Sequence, residues 1–593
     1  PLLQSTFVGS TGSEAVVAVA AGTDRVYAAG NSSAVSFPGG PPPTTFGSGG
    51  MFVAAYSPDL TQLLALTFFG GTGLDYVFSL TPDGGGVYLA GTTFAADFPG
   101  TASGARPSLA TAPDGFVIRL STDLGTLVRA TYIGGDGFDD VQGLAIGSSL
   151  FAFGNTQSSD LPATAGAAQT ALAGTSDTYA AAFSLDLTTL TRVTYLGGSD
   201  GEAALGDPGL AADGLYVTGE TLSADFPQVA GGYQTTNTLS AAFVAHLSLD
   251  LSQFVQSTYF GSDFGIDSGF HAAVDGDVFI LGRTNGSDLP GTTGGVQPTY
   301  GGLTDLFVAR FPPTLTSLVQ ATFVGGSDSE DPGGLLVRGG EVIVSGATAS
   351  IDLPGTTGAI QPNRVGPSDG FLARFDASLT GPSHSTYLGG AANNGISDHD
   401  ELAGVLYVGG SVEIDDFPGT AGGAQESYAG GDYDGFLAAL TSDLVQLPTV
   451  SVDDVAGLEG NSGTTPWVFT VSLSAAPESV ATVTVATTAG TASSGVDFAP
   501  LGPLVLTFLP AGPTTQTVTV QVQGDPEVEA DETFSLVLSL PTGIELGDAT
   551  GTGAILNDDL SLVEVPTLSP AALAGLALAL AAAALARVRR GDH

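Results

Sequence analysis

Thr386-Tyr387-Leu388-Gly389 is the last of seven copies of one short phrase in this chain. The earlier copies are Thr6-Phe7-Val8-Gly9, Thr67-Phe68-Phe69-Gly70, Thr131-Tyr132-Ile133-Gly134, Thr194-Tyr195-Leu196-Gly197, Thr258-Tyr259-Phe260-Gly261 and Thr322-Phe323-Val324-Gly325. Subtracting the positions of successive threonines, for example 386 minus 322, gives spacings of 61 to 64 residues. A spacing kept over this many copies is typical of a repeat architecture. The pattern therefore predicts one repeated structural unit over residues 1–447.

Each repeat has the same internal order, which is clearest in the fifth copy. His271 to Val274 and Asp277 to Gly282 are β-rich runs separated by Asp275-Gly276, and Asp-Gly between two such runs favours a tight hairpin. A segment rich in glycine and proline follows, and it is unsuited to a ladder or a helix. Leu306 to Arg310 and Leu318 to Val324 are two further strand-like runs. Each repeat is therefore predicted to form a small antiparallel sheet with one long loop.

Seven copies of a four-stranded sheet predict a seven-bladed β-propeller, because radial packing buries both faces of each blade and leaves short edges. The repeat begins in mid-motif, since Pro1 to Phe7 matches the segment that ends at Tyr259. The seventh unit ends near Leu447 without a Thr-Tyr-Leu-Gly phrase of its own. We therefore expect the amino-terminal strand to complete the last blade and close a ring.

The repeat resembles a family of bacterial seven-bladed propeller repeats, the SBBP type. Its consensus reads S-T-Y-L-G-G, then V-Y-V-x-G-x-T, then D-F-P, then D-x-F-V. That family has no common activity, so the resemblance implies an architecture more than a function.

Composition favours a folded, exported protein. The chain has 60 Asp and Glu against 13 basic residues, all arginine, and a net charge of −47. Such a surface repels phosphate backbones, which argues against nucleic acid as a partner. With no cysteine there is no disulfide framework and no thiolate chemistry.

The repeat pattern stops after Leu447, and cleanly alternating strands begin. About 110 residues of such strands suit a β-sandwich, here predicted over residues 448–560. Four segments resemble, in order, the signature motifs of the Calx-beta domain. They are Leu458 to Gly463, Gly490 to Phe498, Asp525 to Phe534 and Ile555 to Asp559.

The Calx-beta resemblance implies a calcium site, because carboxylates of calcium-binding members converge at one end of the sandwich. Ca²⁺ takes six to eight oxygen ligands, and clustered acids are costly unless a cation neutralises them. Pro526 and Asn557 replace acids that strong binders carry, which leaves a solvated acidic cluster as the alternative. The implied ligands are Glu459, Asp497, Asp525, Glu529, Glu532, Asp558 and Asp559.

The carboxy-terminal residues 561–593 predict a membrane segment. The apolar run over 568–586, as a helix, would reach about 28 Å, close to the thickness of a bilayer core. Arg587, Arg589 and Arg590 follow it, which fits the positive-inside rule with the bulk of the protein outside. With Val565 to Ser569, the pattern resembles a sorting signal that opens with Ile/Val-Pro-Thr-Leu-Ser, which implies processing by a membrane peptidase of the exosortase type. An Ala-rich helix docked on the propeller is the alternative. The chain starts at Pro1 without a visible signal peptide, which predicts a trimmed or incomplete amino terminus.

Six repeats contain an Asp-x-Pro phrase, which places an aspartate at the same position in each. We interpret these residues as turn caps, with a ring-shaped cation or sugar site as the alternative. The same two interpretations apply to the Asp that precedes Phe by two residues. The residues are Asp97, Asp160, Asp225, Asp288, Asp352 and Asp416, and then Asp114, Asp305, Asp369 and Asp434.

Enzyme signatures are weak in this sequence. The Gly-x-Ser-x-Gly match at Gly366 to Gly370 lies in a blade loop with no following helix, so chance explains it. His246, His271, His384 and His399 lie at different repeat positions without ligand spacing. We therefore predict a non-enzymatic adhesion or binding protein of the cell envelope or extracellular matrix, with a protein or glycan ligand. The alternative is a secreted propeller hydrolase or lyase that acts on polysaccharide through paired carboxylates.

Overall fold

The computed structural model describes the chain except for residues 35, 39, 238, 382, 478–479, 511, 560–567 and 589–593. The chain separates into two compact units, Pro1–Gln446 and Leu447–His593. Strands dominate both units, so the all-β class predicted from the sequence is confirmed.

The described residues of the first unit form thirty strands and one short 3₁₀ helix, Thr101–Ser103. The strands are β1 (Leu2–Val8), β2 (Glu14–Ala21), β3 (Val26–Ser32), β4 (Thr44–Gly47), β5 (Met51–Tyr56), β6 (Leu63–Gly70), β7 (Asp75–Pro82), β8 (Val87–Thr93), β9 (Asp114–Leu120), β10 (Leu127–Ile133), β11 (Gly143–Ile146), β12 (Leu150–Thr156), β13 (Asp177–Phe183), β14 (Leu190–Leu196), β15 (Glu202–Ala204), β16 (Gly209–Ala211), β17 (Gly214–Thr221), β18 (Ala241–Leu247), β19 (Phe254–Phe260), β20 (Asp267–Asp275), β21 (Asp277–Thr284), β22 (Asp305–Phe311), β23 (Gln320–Val324), β24 (Glu330–Arg338), β25 (Glu341–Thr348), β26 (Asp369–Asp376), β27 (His384–Leu388), β28 (Asn394–Leu402), β29 (Val405–Val412) and β30 (Asp434–Thr441).

These strands pair into seven sheets within the described part of the first unit, and we number the sheets by their first strand. Sheet 1 has the order β2-β3-β5-β6-β4, and sheet 2 runs from β7 to β10. Sheet 3 runs from β11 to β14, and sheet 4 is β15-β17-β18-β19 with β16 paired to β17. Sheets 5 and 6 run from β20 to β23 and from β24 to β27, and sheet 7 is β28-β29-β30-β1. Each sequence repeat thus forms one small sheet, as predicted.

The fifth repeat shows that the predicted hairpin and loop are present. β20 and β21 pair antiparallel around Gly276, whose φ of 74° lies in the left-handed region that glycine tolerates. The glycine- and proline-rich segment connects β21 to β22, and the Thr322-Phe323-Val324 phrase lies in β23, at the far side of the sheet.

The amino-terminal strand completes sheet 7, as the mid-motif start predicted. β1 pairs antiparallel with β30 in the register Thr6↔Leu437 and Val8↔Gly435. The Thr441 N–H also donates to the Pro1 carbonyl at 2.9 Å. The first and last strands of the repeat region therefore lie in one sheet.

The seven sheets contact one another in a closed order. Contacts link β2, β7, β11, β16, β20, β24 and β28 in that sequence, and β28 touches β2. Each is the first strand of its sheet except β16, which follows β15 in sheet 4. In six of the seven sheets the long loop also donates a backbone hydrogen bond of 2.9 to 3.3 Å to a leucine carbonyl of the next sheet. These bonds run from Ala105 to Leu187, Ala168 to Leu251, Tyr233 to Leu315, Val296 to Leu379, Ile360 to Leu444 and Ala424 to Leu60.

The leucines that accept these bonds have an unusual backbone. Together with Leu124, they follow the third strand of their sheets with φ of 54 to 60°, a region that Leu rarely adopts. Their side chains are at most 1% exposed. Burial of the side chain thus offsets the local strain at every turn of this kind.

The second unit contains a two-sheet sandwich and one helix in its described residues. One sheet has the order β36-β33-β31-β38 and the other β32-β39-β37-β34-β35. The aromatic part of its buried core consists of Trp467, Phe469, Phe498, Phe508 and Phe534. The elements are β31 (Thr449–Val452), β32 (Val455–Leu458), β33 (Gly463–Leu473), β34 (Ala481–Ala489), β35 (Leu504–Phe508), β36 (Thr515–Gly524), β37 (Glu532–Thr542), β38 (Glu545–Leu546), β39 (Thr550–Leu556) and α1 (Pro570–Val588).

Helix α1 lies two residues later than the predicted span 568–586. Ser569 caps it, since the Ala572 N–H donates to Ser569 Oγ at 3.3 Å. The side chains from Pro570 to Arg587 are exposed, and by length and composition this segment suffices to cross a membrane. Val565 to Thr567 of the predicted sorting signal, and Arg589 and Arg590 after the helix, lie outside the described residues.

Candidate metal centre

Two strands of the sandwich bring distant acidic segments to one end. β32 and β39 pair in parallel, with Leu458 beside Leu556 in the register. The residues that follow each strand therefore emerge side by side. Glu459 follows the first strand, and Asp558 and Asp559 follow the second after Asn557.

The first acidic group contains Glu459, Asp558 and Asp559, with one carboxylate oxygen from each within 4.8 Å of the others. Glu459 is 4% exposed and Asp559 9%. Asp558 Oδ1 accepts the Gly460 N–H at 3.2 Å, and Asn461 Nδ2 donates to Asp559 Oδ1. Asp559 Oδ2 is buried without a hydrogen-bond partner among the described residues. A carboxylate oxygen buried in this way is costly unless a cation lies beside it.

The second acidic group contains Asp497, Glu529 and Glu532, also within 4.8 Å of one another. Asp497 is 7% exposed, and its Oδ2 accepts the Ser493 N–H at 2.5 Å. This turn holds Asp497 beside Phe498, whose ring stacks on Phe534 at 4.5 Å between centroids. The packing of Phe498 in the aromatic core therefore fixes the position of Asp497 in the second acidic group.

Asp525 belongs to neither group. Its Oδ1 accepts the Glu527 N–H at 2.8 Å, which forms a local turn. Its charge nevertheless raises the pKa of both Glu459 and Glu529. Of the seven residues that the sequence implied, the structure brings six into two groups and leaves Asp525 at their edge.

The electrostatics of the site are those of mutual repulsion. Burial, and then the charges of Glu529, Asp525, Asp559 and Asp558, raise the pKa of Glu459 to about 7. Burial and then Asp497 raise the pKa of Glu529 and of Glu532. Residues 448–560 contain no Lys, Arg or His. No basic side chain of this domain is therefore available to neutralise the acids.

The chemistry of the donor set is that of a hard divalent cation. Every candidate ligand is a carboxylate, and no nitrogen or sulfur ligand lies in the segment. All-oxygen sites favour Ca²⁺, which tolerates irregular geometry.

Sequence reasoning missed the residues that position these acids. Asn557 Nδ2 donates to the Asp559 carbonyl at 3.2 Å, and Asn557 Oδ1 accepts the Glu529 N–H at 3.2 Å. Asp531 in turn accepts the Asn557 N–H at 3.1 Å. Asn557, which departs from the family pattern, thus ties both acidic groups together. The available signal in the sequence was the position of Asn557 directly before Asp558 and Asp559.

Sequence reasoning also missed a polar group on the first strands of the first unit. Asp207 Oδ1 accepts hydrogen bonds from Ser79 Oγ and the Leu144 N–H, and the Asp207 N–H donates to His271 Nδ1 at 3.3 Å. Burial, and then the charge of Asp207, raise the pKa of Asp398, which belongs to the same group. Linear spacing gives no sign of this group, because its members come from different sheets.

Five of the six aspartates of the Asp-x-Pro phrases serve as loop caps among the described residues. Asp97, Asp160, Asp225, Asp352 and Asp416 each accept a backbone N–H at 2.6 to 2.9 Å from the loop before the first strand of their own sheet. They cap that loop and not the turn before the proline, which differs from the expected partner.

Comparison with known proteins supports the identity of the sandwich. The family model of the Calx-beta domain matches residues 452–559. The crystal structure of the apo form of the Calx CBD1 domain is 27% identical, over 19% of this chain and 100% of that chain, with a TM-score of 0.18. Calcium binding domain CBD12 of CALX1.1 is 28% identical, over 18% of this chain and 46% of that chain, with a TM-score of 0.17. No curated protein matches the chain. The family match assigns residues 452–559 to the Calx-beta domain.

Proposed function

We propose that the Calx-beta domain binds Ca²⁺ through its two acidic groups. The observation that carries the proposal is the meeting of six carboxylates at one end of a domain without any basic side chain. Asp559 Oδ2 has no hydrogen-bond partner among the described residues, and the pKa of Glu459 is raised. Both features are expected of clustered carboxylates that a cation would neutralise. The family match and the calcium-binding name of the CALX1.1 structure support the choice of metal.

The single tryptophan gives a direct test on the full-length protein. Trp467 is the one Trp of the chain, is 5% exposed and lies against Gly457, two residues before Glu459. Its emission therefore reports unfolding of the sandwich alone. Millimolar Ca²⁺ is expected to raise the midpoint of thermal unfolding reported by Trp467 fluorescence, the Trp midpoint, above its value in EDTA. At a hundredfold excess of Ca²⁺ over Kd, the added free energy of unfolding is about 2.7 kcal/mol.

The control variant removes one acid at the opposite end of the sandwich. Glu545 lies in β38, which pairs with the start of β31, away from Glu459. Glu545→Gln is expected to keep the full calcium response, and Asp558→Asn/Asp559→Asn to lose it. A Trp midpoint unaffected by Ca²⁺ in the native protein would leave the domain a plain spacer.

We further propose that the seven sheets are the blades of a β-propeller that serves as a non-enzymatic binding or adhesion scaffold. The closed order of contacts and the completion of sheet 7 by β1 support the ring. The net charge of −47 and the exposed apolar helix favour an exported protein held at a membrane, with the tail handled by an exosortase-type peptidase. The proposed ligand is an extracellular protein or glycan.

A glycan screen separates adhesion from the hydrolase or lyase alternative. The full-length protein is applied to immobilised glycans and, in parallel, to chromogenic glycosides. Saturable binding without product supports adhesion, and turnover would establish the enzymatic alternative.

A further inference from the structure

Sheet 5 of the first unit is preceded by a loop that is one residue longer than its counterparts. This loop joins the glycine of a Thr-x-x-Gly phrase to the acidic residue or asparagine that opens the next repeat. It spans six residues at six places in the ring, for example from Gly197 to Glu202. Before sheet 5 it spans seven residues, from Gly261 to Asp267. One repeat therefore carries an insertion that the other six lack.

The longer loop leaves one of the recurrent aspartates without its usual hydrogen bond. At five places the residue two positions after the phrase glycine donates its N–H to the aspartate of the Asp-x-Pro phrase. The residue in that position before sheet 5 is Asp263, and Asp288 makes no hydrogen bond among the described residues. An acid in that position does not by itself prevent the bond, because the Asp136 N–H still donates to Asp160 at 2.8 Å. The insertion therefore accounts for the exposed, unbonded carboxylate of Asp288.

The longer loop is held in place on both sides of Phe264. The Gly265 N–H donates to Ser262 Oγ at 2.9 Å, and the Ile266 N–H donates to Asn285 Oδ1 at 2.7 Å. Phe264 is nevertheless 88% exposed, which makes it the most exposed large apolar side chain of the described residues. The loop thus presents an aromatic side chain to solvent from a fixed backbone.

An open cleft of about 460 Å³ lies beside this loop. A space of this size suits a small ligand or the end of a larger one. Its wall is mostly polar, and none of its lining residues is basic. Its lining residues include Tyr233, Gln234, Thr235, Thr236, Asp263 and Asp288.

Tyr233 gives the cleft an aromatic wall. It is one of the six long-loop residues that donate a backbone N–H to a leucine of the next sheet, and the other five are Ala, Val or Ile. The Tyr233 N–H donates to the Leu315 carbonyl at 3.0 Å, and its side chain packs edge-on against Phe311 at 6.2 Å between centroids. Tyr233 is therefore fixed and half-buried, with an aromatic surface left for a ligand.

The polar residues of the cleft divide into supporting and free groups. Gln234 is engaged within the protein, since its Oε1 accepts the Gly261 N–H at 3.1 Å and its Nε2 donates to the Thr236 carbonyl at 3.3 Å. Asp263 and Asp288 are exposed, and neither carboxylate makes a hydrogen bond to a described residue. Both carboxylates are thus available to accept hydrogen bonds from hydroxyl groups of a ligand.

We propose that this cleft binds a neutral glycan, whose hydroxyl groups donate to Asp263 and Asp288 and whose apolar sugar face packs on Tyr233. Phe264 adds exposed apolar area directly after Asp263 in the same loop. Two carboxylates without a basic side chain in the wall disfavour an acidic polysaccharide. The site depends on the proposed binding role of the ring and gives that role a location and a ligand class.

Binding of the full-length protein to immobilised oligosaccharides tests the site. The neutral probes are oligomers of glucose, mannose, galactose and N-acetylglucosamine, and oligogalacturonate is the acidic comparison. EDTA in the buffer removes Ca²⁺ from the proposed site of the Calx-beta domain. Saturable binding of at least one neutral probe is expected, without binding of oligogalacturonate. Binding of oligogalacturonate alone would overturn the proposed ligand class.

Three variants and one control connect binding to the cleft. Tyr233→Val introduces the side chain that Val296 has in the next repeat, and Asp288→Asn removes one carboxylate. Each is expected to weaken binding of the neutral probe at least tenfold. Deletion of Phe264 restores the six-residue loop and is expected to abolish binding. Asp352→Asn, at the position of sheet 6 that matches Asp288, is the control and should keep the native affinity.

Tyrosine fluorescence shows whether each variant still folds. All 15 Tyr lie before residue 448, so the midpoint of thermal unfolding that they report, the tyrosine midpoint, belongs to the ring. Unchanged affinity in Tyr233→Val and Asp288→Asn with a native tyrosine midpoint would overturn the site and leave glycan binding elsewhere on the protein. A native protein that binds none of the probes would contradict both the site and the proposed glycan ligand.

A crystal of the native protein soaked with the neutral oligosaccharide that it binds covers the case in which these variants fail to fold. A sugar is expected against Tyr233, within hydrogen-bond distance of Asp263 or Asp288. Sugar density at another sheet, with the cleft empty, would overturn the assignment.

Discussion

At the scale of single residues, Asp559 concentrates the energetics of the Calx-beta acidic site. Its Oδ2 is buried without a partner among described residues, and its charge raises the pKa of Glu459. Asp559→Asn is expected to weaken calcium binding at least tenfold. In EDTA the same variant is expected to be more stable by about 1 kcal/mol, because one repulsive charge is gone.

The measurement is the Trp467 midpoint with and without Ca²⁺. A variant that is less stable in EDTA and binds Ca²⁺ unchanged would show that Asp559 is a structural hydrogen-bonding residue instead.

Glu330 gives the ring a pH dependence of predictable sign. Burial raises its pKa to about 7, above the ordinary value of 4.5. The folded ring therefore holds a proton that the unfolded chain releases between these values, and stability falls as pH rises from about 4.5 to 7. Glu330→Gln mimics the protonated form and is expected to flatten this part of the profile, by up to about 3 kcal/mol.

Tyrosine-monitored unfolding in EDTA across this pH range checks the prediction. Glu341→Gln, at the half-buried start of β25 where Glu341 pairs with Arg374, serves as the control and should retain the native slope. An identical slope in Glu330→Gln would mean that Glu330 is ionised in the folded ring.

The sequence located the acids of the Calx-beta site but not their pairing. Four ordered motifs supplied the seven candidate residues, of which the structure brings six together, whereas their separation into two groups depends on the parallel register of β32 and β39.

At the scale of elements, β1 contributes the last strand of sheet 7. Removal of residues 1–8 exposes the full edge of β30 and the apolar face that Phe7 covers, since Phe7 is 0% exposed. The truncated protein is expected to lose several kcal/mol of ring stability and to self-associate through the open edge.

Size-exclusion chromatography and the tyrosine midpoint measure the two effects. Addition of a synthetic peptide of residues 1–8 should restore the midpoint in part. A truncated ring that stays monomeric with a native midpoint would show that β1 is dispensable.

Strands and hairpins were predictable because they follow local rules. Asp275-Gly276 and the apolar runs around it specify a hairpin without reference to the rest of the chain. The left-handed turns at Leu60, Leu124 and Leu251 were not predictable. Leucine disfavours that backbone, and only its burial and the bond from a neighbouring sheet favour the conformation.

At the scale of the whole molecule, the proposed membrane attachment depends on α1, which is long and apolar enough to cross a bilayer. Its apolar side chains are exposed over Pro570–Arg587. The full-length protein is expected to float with lipid vesicles, and removal of residues 568–593 to abolish flotation. Leu578→Asp, in the middle of the helix, is expected to weaken it, because an acid at the bilayer centre costs about 3 kcal/mol.

Vesicle flotation with the unchanged tyrosine midpoint as a folding control completes this test. Flotation of the tail-less protein would place the membrane contact elsewhere in the chain.

The division of the chain into a repeat region and a sandwich was legible in the sequence, because the repeat period ends where new motifs begin. The closed order of the seven sheets was only inferred from a strand that starts in mid-motif. The polar group around Asp207 and His271 was out of reach, since residues of different sheets meet there only after folding.

The pairing of β1 with β30 has a mechanical consequence. Pro1 lies beside Thr441, so the start of β1 and the end of β30 lie at the same end of this strand pair. Tension applied between them loads the outermost hydrogen bond first and peels the strand off one bond at a time. A pair pulled from opposite ends would instead share the load among all its bonds at once. The pairing of β1 with β30 in sheet 7 is therefore expected to break first when force is applied between the two ends of the first unit.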